Sequence, residues 1–159
     1  MENSVTAYIA YCKKFADNHI QIKDFDYGGS DRILNRERSR IKYPLLWAEI
    51  PDFSQKKEEE DGGIFSGALV ILHNYKPGNN TQRLEREEST YQIMLQIVTR
   101  IFEEAADGEI ILINKEIKIE PIDPWSGDND LGWRIDFSLQ TESGCFQDDI
   151  NEGIWKDLI

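Results

Sequence analysis

The segment between Leu131 and Gln140 alternates apolar and polar residues without interruption. Its apolar positions are Leu131, Trp133, Ile135, Phe137 and Leu139, and its other positions are Gly132, Arg134, Asp136, Ser138 and Gln140. A period of two predicts a β-strand that buries one face. The polar face of this strand then lies toward solvent, a substrate or another subunit.

Helical periodicity occurs in two places. The first predicted helix spans residues 4–19, has Asn3 or Ser4 as its N-cap, and packs inward through Val5, Tyr8, Ile9, Cys12, Phe15 and Ala16. The second spans about residues 82–106, with Asn80 or Thr81 as its cap. Its predicted core stripe is Tyr91, Met94, Leu95, Val98, Ile101, Phe102 and Ala105.

Two further apolar residues of the second helix, Ile93 and Ile97, lie to one side of that stripe. They widen the apolar arc to about 200°, which is more than one sheet normally covers. Either the helix is sunk deeply into a small core, or these two side chains meet a neighbouring subunit.

Several apolar segments predict strands. The segment YPLLWAEIPDF suits a short strand with Pro44 and Pro51 at its ends, and a short strand is also possible around Ile22 to Phe25. IFSGALVILHNY is apolar on both faces and predicts a central strand, whereas the charged residues 54–63 predict an exposed loop. EIILINKEIKIEPI predicts one long strand or two short ones, joined by a turn to the alternating strand as an antiparallel hairpin.

This order of elements predicts one α+β domain over residues 1–145. A mostly antiparallel sheet is packed by an N-terminal helix and one long central helix. Residues 146–159 are interpreted as a C-terminal arm or short helix.

Charge is distributed unevenly along the chain. The formal net charge is -12, and residues 81–159 hold 7 Lys/Arg against 18 Asp/Glu. Such a surface repels phosphates, so specific nucleic-acid binding is not expected. The negative field serves either solubility or the lining of a passage through which DNA slides. The one basic concentration comprises Arg32, Arg36, Arg38, Arg40 and Lys42, which either contacts the acidic half of another copy or forms a solvated loop.

Candidate chemistry is sparse. His19 is expected to interact with the last carbonyls of the first helix, and a polar site near His73 is the one place where an enzyme pocket is considered. The two cysteines, Cys12 and Cys145, lack CxxC spacing and are interpreted as free thiols, with a disulfide as the alternative. We predict no catalytic, metal or cofactor site.

Two motifs favour turns over ligand sites. The acidic residues Asp123, Asp128 and Asp130 do not match the spacing of the calcium loop and predict a solvated hairpin turn. GGIFSG enters a strand and lacks the lysine of a phosphate-binding loop. No apolar run approaches the length of a membrane span and no basic, apolar leader is present, so we expect a cytoplasmic protein.

The order of these elements resembles that of the small neck and tail-completion proteins of tailed bacteriophages, including tail terminators. The resemblance covers about residues 4–141 and depends on the layout, including YPLLWAEIP, IFSGALVILHNY and GWRIDFSLQ. It implies a homo-oligomeric ring, commonly of six copies, that caps the tail tube and meets neck proteins while DNA passes through its middle. It implies no catalytic residues and no cofactor.

If the resemblance holds, a non-enzymatic virion assembly protein is expected, made in the cytoplasm and retained in the virion. Its subunit interface is predicted at Arg32, Arg36, Arg38, Arg40, Ile93, Ile97, Arg134 and Asp136. Arg134 and Asp136 form either a functional couple or a structural ion pair. The alternative function is an acidic binding module, immunity or antitoxin-like, that masks a basic protein partner.

Overall fold

A computed structural model of the chain describes residues 1–29, 40–55, 62–122 and 130–141. The described elements are helix α1 (Val5–Asn18), strands β1 (Asp24–Tyr27), β2 (Leu45–Ala48), β3 (Asp52–Ser54) and β4 (Ile64–Asn74), helix α2 (Asn80–Ala106), and strands β5 (Ile111–Leu112), β6 (Glu120–Ile122) and β7 (Asp130–Gln140). The predicted α+β class is confirmed: within these residues two helices accompany a mixed, mostly antiparallel sheet of seven strands.

The sheet is centred on the long antiparallel pair of β4 and β7, which runs from Ile64↔Gln140 to Asn74↔Asp130. The strand order is β1-β2-β4-β7-β5, with β3 paired to β4 and β6 paired to β7. Only the β1–β2 pair is parallel among the described strands. The segment after α2 therefore forms two short strands, and the predicted antiparallel pairing of its second part with β7 is confirmed.

Both helices pack on one face of the sheet. Their main core contains Tyr8, Cys12 and Phe15 from α1 and Ile93, Met94, Ile97 and Ile101 from α2. These meet Leu69 and Ile71 of β4 and Ile135, Phe137 and Leu139 of β7. The apolar row predicted for β7 thus points toward the helices.

A smaller apolar cluster lies on the other face of the sheet. It consists of Leu45 and Trp47 from β2 and Val70 and Leu72 from β4, all buried. Apolar side chains of β4 are therefore buried on both faces, as predicted for a central strand.

The helix boundaries follow local capping chemistry. The Ser4 side chain accepts a hydrogen bond from the Ala7 amide, which confirms one of the two predicted caps of α1. In α2 the cap is Asn79, whose Oδ1 accepts from the Gln82 amide, so the predicted cap at Asn80 or Thr81 was wrong by one or two residues. The predicted arm at residues 146–159 lies outside the described residues.

Candidate functional site

A cleft of about 380 Å³ opens between the C-terminal halves of α1 and α2. Its lining residues from α1 and its cap are Lys14, Phe15, Asn18 and His19, and those from α2 are Gln96, Ile97, Arg100 and Glu104. Two cations, one carboxylate, two amides and an imidazole thus converge beside two apolar side chains. Pockets of this size hold small molecules in many proteins.

Glu104 is the buried acid of the cleft, with only 1% of its surface exposed. Its Oε1 accepts a hydrogen bond from Lys14 Nζ at 2.8 Å and another from Arg100 Nε at 2.9 Å. Arg100 lies one helical turn before Glu104, the spacing at which side chains meet on a helix surface. Lys14 comes from α1, so the carboxylate joins the two helices.

The second oxygen of Glu104 and the hydroxyl of Tyr11 are buried polar atoms. Among the described residues, neither Glu104 Oε2 nor Tyr11 Oη has a hydrogen-bond partner. Burial, and secondly the neighbouring Glu104 carboxylate, raise the pKa of Tyr11 above its usual value. Burial alone would raise the pKa of Glu104, but hydrogen bonds from Lys14 and Arg100 outweigh it and lower that pKa. The cleft therefore holds an ionised carboxylate at neutral pH, and Tyr11, which is not one of its lining residues, keeps its proton.

His19, the C-terminal cap of α1, also lines the cleft. Its backbone amide donates to the Phe15 carbonyl, but the predicted contact of its imidazole with the last carbonyls of α1 was wrong, because both ring nitrogens have other partners. The ring Nδ1 accepts from the Gln21 amide, and Nε2 lies 2.7 Å from Gln96 Oε1. Because Nδ1 accepts, Nε2 carries the proton and donates to Gln96, which leaves the Gln96 amide NH₂ available.

The polar row of β7 lies on the sheet face opposite the helices. Arg134 Nη1 contacts Glu49 Oε1, and Nη2 lies 2.8 Å from Asp136 Oδ1. Farther along, Ser138 Oγ and Ser66 Oγ lie 2.8 Å apart. Arg134 and Asp136 are therefore an ion pair within the chain, and their assignment to a subunit interface stays a prediction.

The interface assignment of Ile93 and Ile97 was wrong. Both side chains belong to the main core of the chain, with 1% and 2% of their surface exposed, so they cannot reach a neighbouring subunit. The alternative of a deeply sunk helix is the one that the structure shows. Their burial goes with the packing of α2 on β4 and β7, and Ile97 also lines the cleft beside α1.

The apolar flank that remains open on α2 is a different one. Leu84 is 67% exposed, Leu95 39% and Phe102 38%. At 100° per residue these three fall within about 20° of one another, roughly on the opposite side of the helix from the cleft. We call them the outer stripe. Leu95 and Phe102 were predicted to be core residues, and this placement was wrong.

The basic concentration lies largely outside the described residues, which exclude Arg32, Arg36 and Arg38. Arg40 is exposed and has partners within the chain. Asp123 and Asp128 also lie outside the described residues, as does Cys145. Asp130 accepts a hydrogen bond from the Tyr43 hydroxyl at 3.1 Å. Within the part of the chain that the structure describes, no group of three or more metal-ligating side chains occurs.

The surroundings of His73 are structural in character. Its ring stacks on Tyr43, with ring centroids 5.7 Å apart, and Nδ1 donates to the Asn74 carbonyl. Burial, and secondly the charge of Arg86, lower the pKa of His73. A buried, neutral, stacked imidazole thus packs the end of β4, and Tyr43, on which it stacks, donates a hydrogen bond to Asp130.

The comparisons with known proteins add no relatives. Protein-family models, curated proteins and solved structures were each compared with this chain, and none matched. No helix within the described ranges combines the length and apolar character needed to cross a membrane.

Proposed function

We propose that this protein is a non-enzymatic virion assembly protein of the tail-completion kind. In this proposal copies of the chain form a ring at the end of a phage or prophage tail tube, with neck or tube proteins as partners. The protein is assembled in the cytoplasm and retained in the virion. The resemblance in the order of elements, from α1 through β7, supports it.

The observation that carries the proposal is the outer stripe of α2. Leu84, Leu95 and Phe102 expose apolar surface along one flank of a 27-residue helix, although the same helix has a fully covered core face. Single exposed apolar residues are ordinary, but aligned ones on one face are typical of contact surfaces. A second copy or a tail protein would cover this flank.

The acidity of the chain supports the same proposal. A ring through which DNA moves must not bind its phosphates, and a net charge of -12 meets that condition. The uneven charge also favours a second candidate. With 18 acidic against 7 basic residues after position 80, the chain could mask a basic protein partner as an immunity or antitoxin-like module.

Light scattering during size exclusion tests the proposal at several protein concentrations. We expect the wild type to form a multimer several times the 18.5 kDa chain mass. Leu95→Glu/Phe102→Glu should be a monomer with unchanged circular dichroism, because two charges on the outer stripe oppose its burial. The matched control, Thr6→Glu/Ala10→Glu, adds two charges to exposed positions of α1 and should still assemble.

A wild-type chain that stays at 18.5 kDa throughout would contradict the ring. If that monomer also bound a basic protein tightly in a stoichiometric complex, the second candidate function, masking of a basic partner, would replace the proposed one. Assembly that survives the double substitution would move the interface away from the outer stripe.

A further inference from the structure

The cleft between α1 and α2 offers more hydrogen-bond donors than the chain uses. Arg100 carries five N–H donors and Lys14 three. One donor of each is committed to Glu104 Oε1. Arg100 also pairs with Glu103 at 3.8 Å, between two side chains that are each more than half exposed, and such a pair is weak in water. Lys14 Nζ also lies 4.6 Å from the centre of the Tyr11 ring.

Two of the acceptors that line the cleft are already engaged or buried. Glu104 is the one carboxylate among the lining residues; both cations share its Oε1, and its Oε2 is buried. Asn18 donates its amide to the Lys14 carbonyl and keeps its Oδ1 as an exposed acceptor. Gln96 Oε1 accepts from His19, so the part of Gln96 that stays available is its NH₂ group. A molecule that enters the cleft therefore meets N–H groups of Arg100, Lys14 and Gln96 and one amide oxygen, that of Asn18.

Phe15 and Ile97 are the apolar residues of the lining. Both belong to the main core and are only 6% and 2% exposed, so they give the cleft a narrow apolar part. A ligand with a small, flat apolar body would contact this part, while the charged groups would contribute most of its affinity. The volume of about 380 Å³ suits a molecule of small size.

We propose that this cleft binds a small organic monocarboxylate with an apolar body. The carboxylate accepts hydrogen bonds from the Arg100 guanidinium and the Lys14 ammonium, and the body lies against Phe15 and Ile97. A guanidinium matches the two oxygens of a carboxylate geometrically. The lining holds two cations and one carboxylate, and therefore one net positive charge. A monocarboxylate neutralises this charge, whereas a phosphate dianion leaves one negative charge in excess.

The test is a titration of the full chain with benzoate at constant ionic strength. Binding is measured by the changes in amide NMR chemical shifts and by calorimetry. Saturable shifts are expected at Phe15, Gln96 and Arg100. Benzamide, which has the same body without the charge, and inorganic phosphate should each bind at least about tenfold more weakly, since a charge-assisted hydrogen bond is lost or the charge is mismatched.

Matched variants assign the effect to the cleft. Arg100→Gln should weaken benzoate binding about tenfold or more. Arg83→Gln should leave it unchanged, because Arg83 pairs with Glu87 one turn later on the same helix but away from the cleft. Gln96→Trp fills the cleft while retaining the Glu104 pairs. It should abolish binding with unchanged circular dichroism and only a small loss of thermal stability, from the lost hydrogen bond to His19.

Three results would each overturn the proposal. They are shifts that do not saturate, equal binding of benzoate and phosphate, and benzoate binding that survives Gln96→Trp. None of them depends on whether the chain assembles, so this proposal and the proposed function can fail separately.

Discussion

Lys14 and Glu104 are 90 positions apart in the chain, and their side chains are joined by a 2.8 Å hydrogen bond. The lysine is 39% exposed and the glutamate only 1%. The cost of burying the carboxylate is therefore offset by Lys14 and Arg100, both of which keep contact with water. This arrangement links the C-terminal halves of α1 and α2 and forms one wall of the cleft.

Replacing Glu104 with Gln should destabilise the fold. The amide is similar in size but loses the charge-assisted bonds from Lys14 and Arg100, and we expect a loss of about 1–3 kcal/mol in the free energy of unfolding. Glu103→Gln is the matched control, because Glu103 is 57% exposed and makes only a weak pair with Arg100. Its effect should stay within about 0.5 kcal/mol. Urea denaturation measures both, and equal losses would contradict the role of Glu104.

The same carboxylate should contribute to acid sensitivity. The folded pKa of Glu104 is lowered, so as pH falls below the unfolded glutamate value of about 4.3 the unfolded chain takes up this proton first. Its stabilisation is complete well above that pH and is lost as pH falls toward the folded pKa. Between about pH 6 and pH 3, Glu104→Gln should lose less stability than the wild type. If the two plots of unfolding free energy against pH ran parallel, the pKa of Glu104 would be the same in the folded and unfolded chains.

Strands were easier to predict than helix orientation. The alternation in β7 and the double-faced apolar pattern of β4 each follow from a period of two, which leaves only two possible faces. The predicted core stripe of α2, in contrast, is rotated by about 70° from the buried one. Its apolar arc is too broad to reveal which part of it faces the core, and Ile93 and Ile97 fall in the buried part.

The cleft was missed for a related reason. Glu104 follows Ile97 and Ile101 at spacings of seven and three residues, so a charged side chain sits in line with core positions. That is the one local signal in the sequence. Its partner Lys14 is fixed only by the packing of α1 against α2, which no short-range pattern specifies.

The close pairing of β4 and β7 requires a glycine at position 132. A Cβ on Gly132 would collide with the Ile71 carbonyl oxygen and lie 2.9 Å from its carbonyl carbon. Backbone cannot move aside as a flexible side chain does, so Gly132→Ala should lose more than about 3 kcal/mol of unfolding free energy. Gly29→Ala is the control, since its added Cβ meets nothing within 4 Å. Similar urea midpoints for the two variants would show that the strands are not this close.

Cys12 should be unreactive until the chain unfolds. It is fully buried in the main core, and burial raises the pKa of its thiol to about 12, so the reactive thiolate is scarce at neutral pH. In a Cys145→Ser background Cys12 is the sole thiol, because the chain has two cysteines. An aromatic disulfide reagent should then label Cys12 only as fast as the structure opens to expose it. At high reagent concentration the labelling rate should therefore not depend on that concentration. Adding Ala10→Cys, at an exposed position of the same helix, should give one thiol that reacts at once. Immediate labelling of Cys12 in the native chain would place α1 away from the core and remove the basis for the cleft.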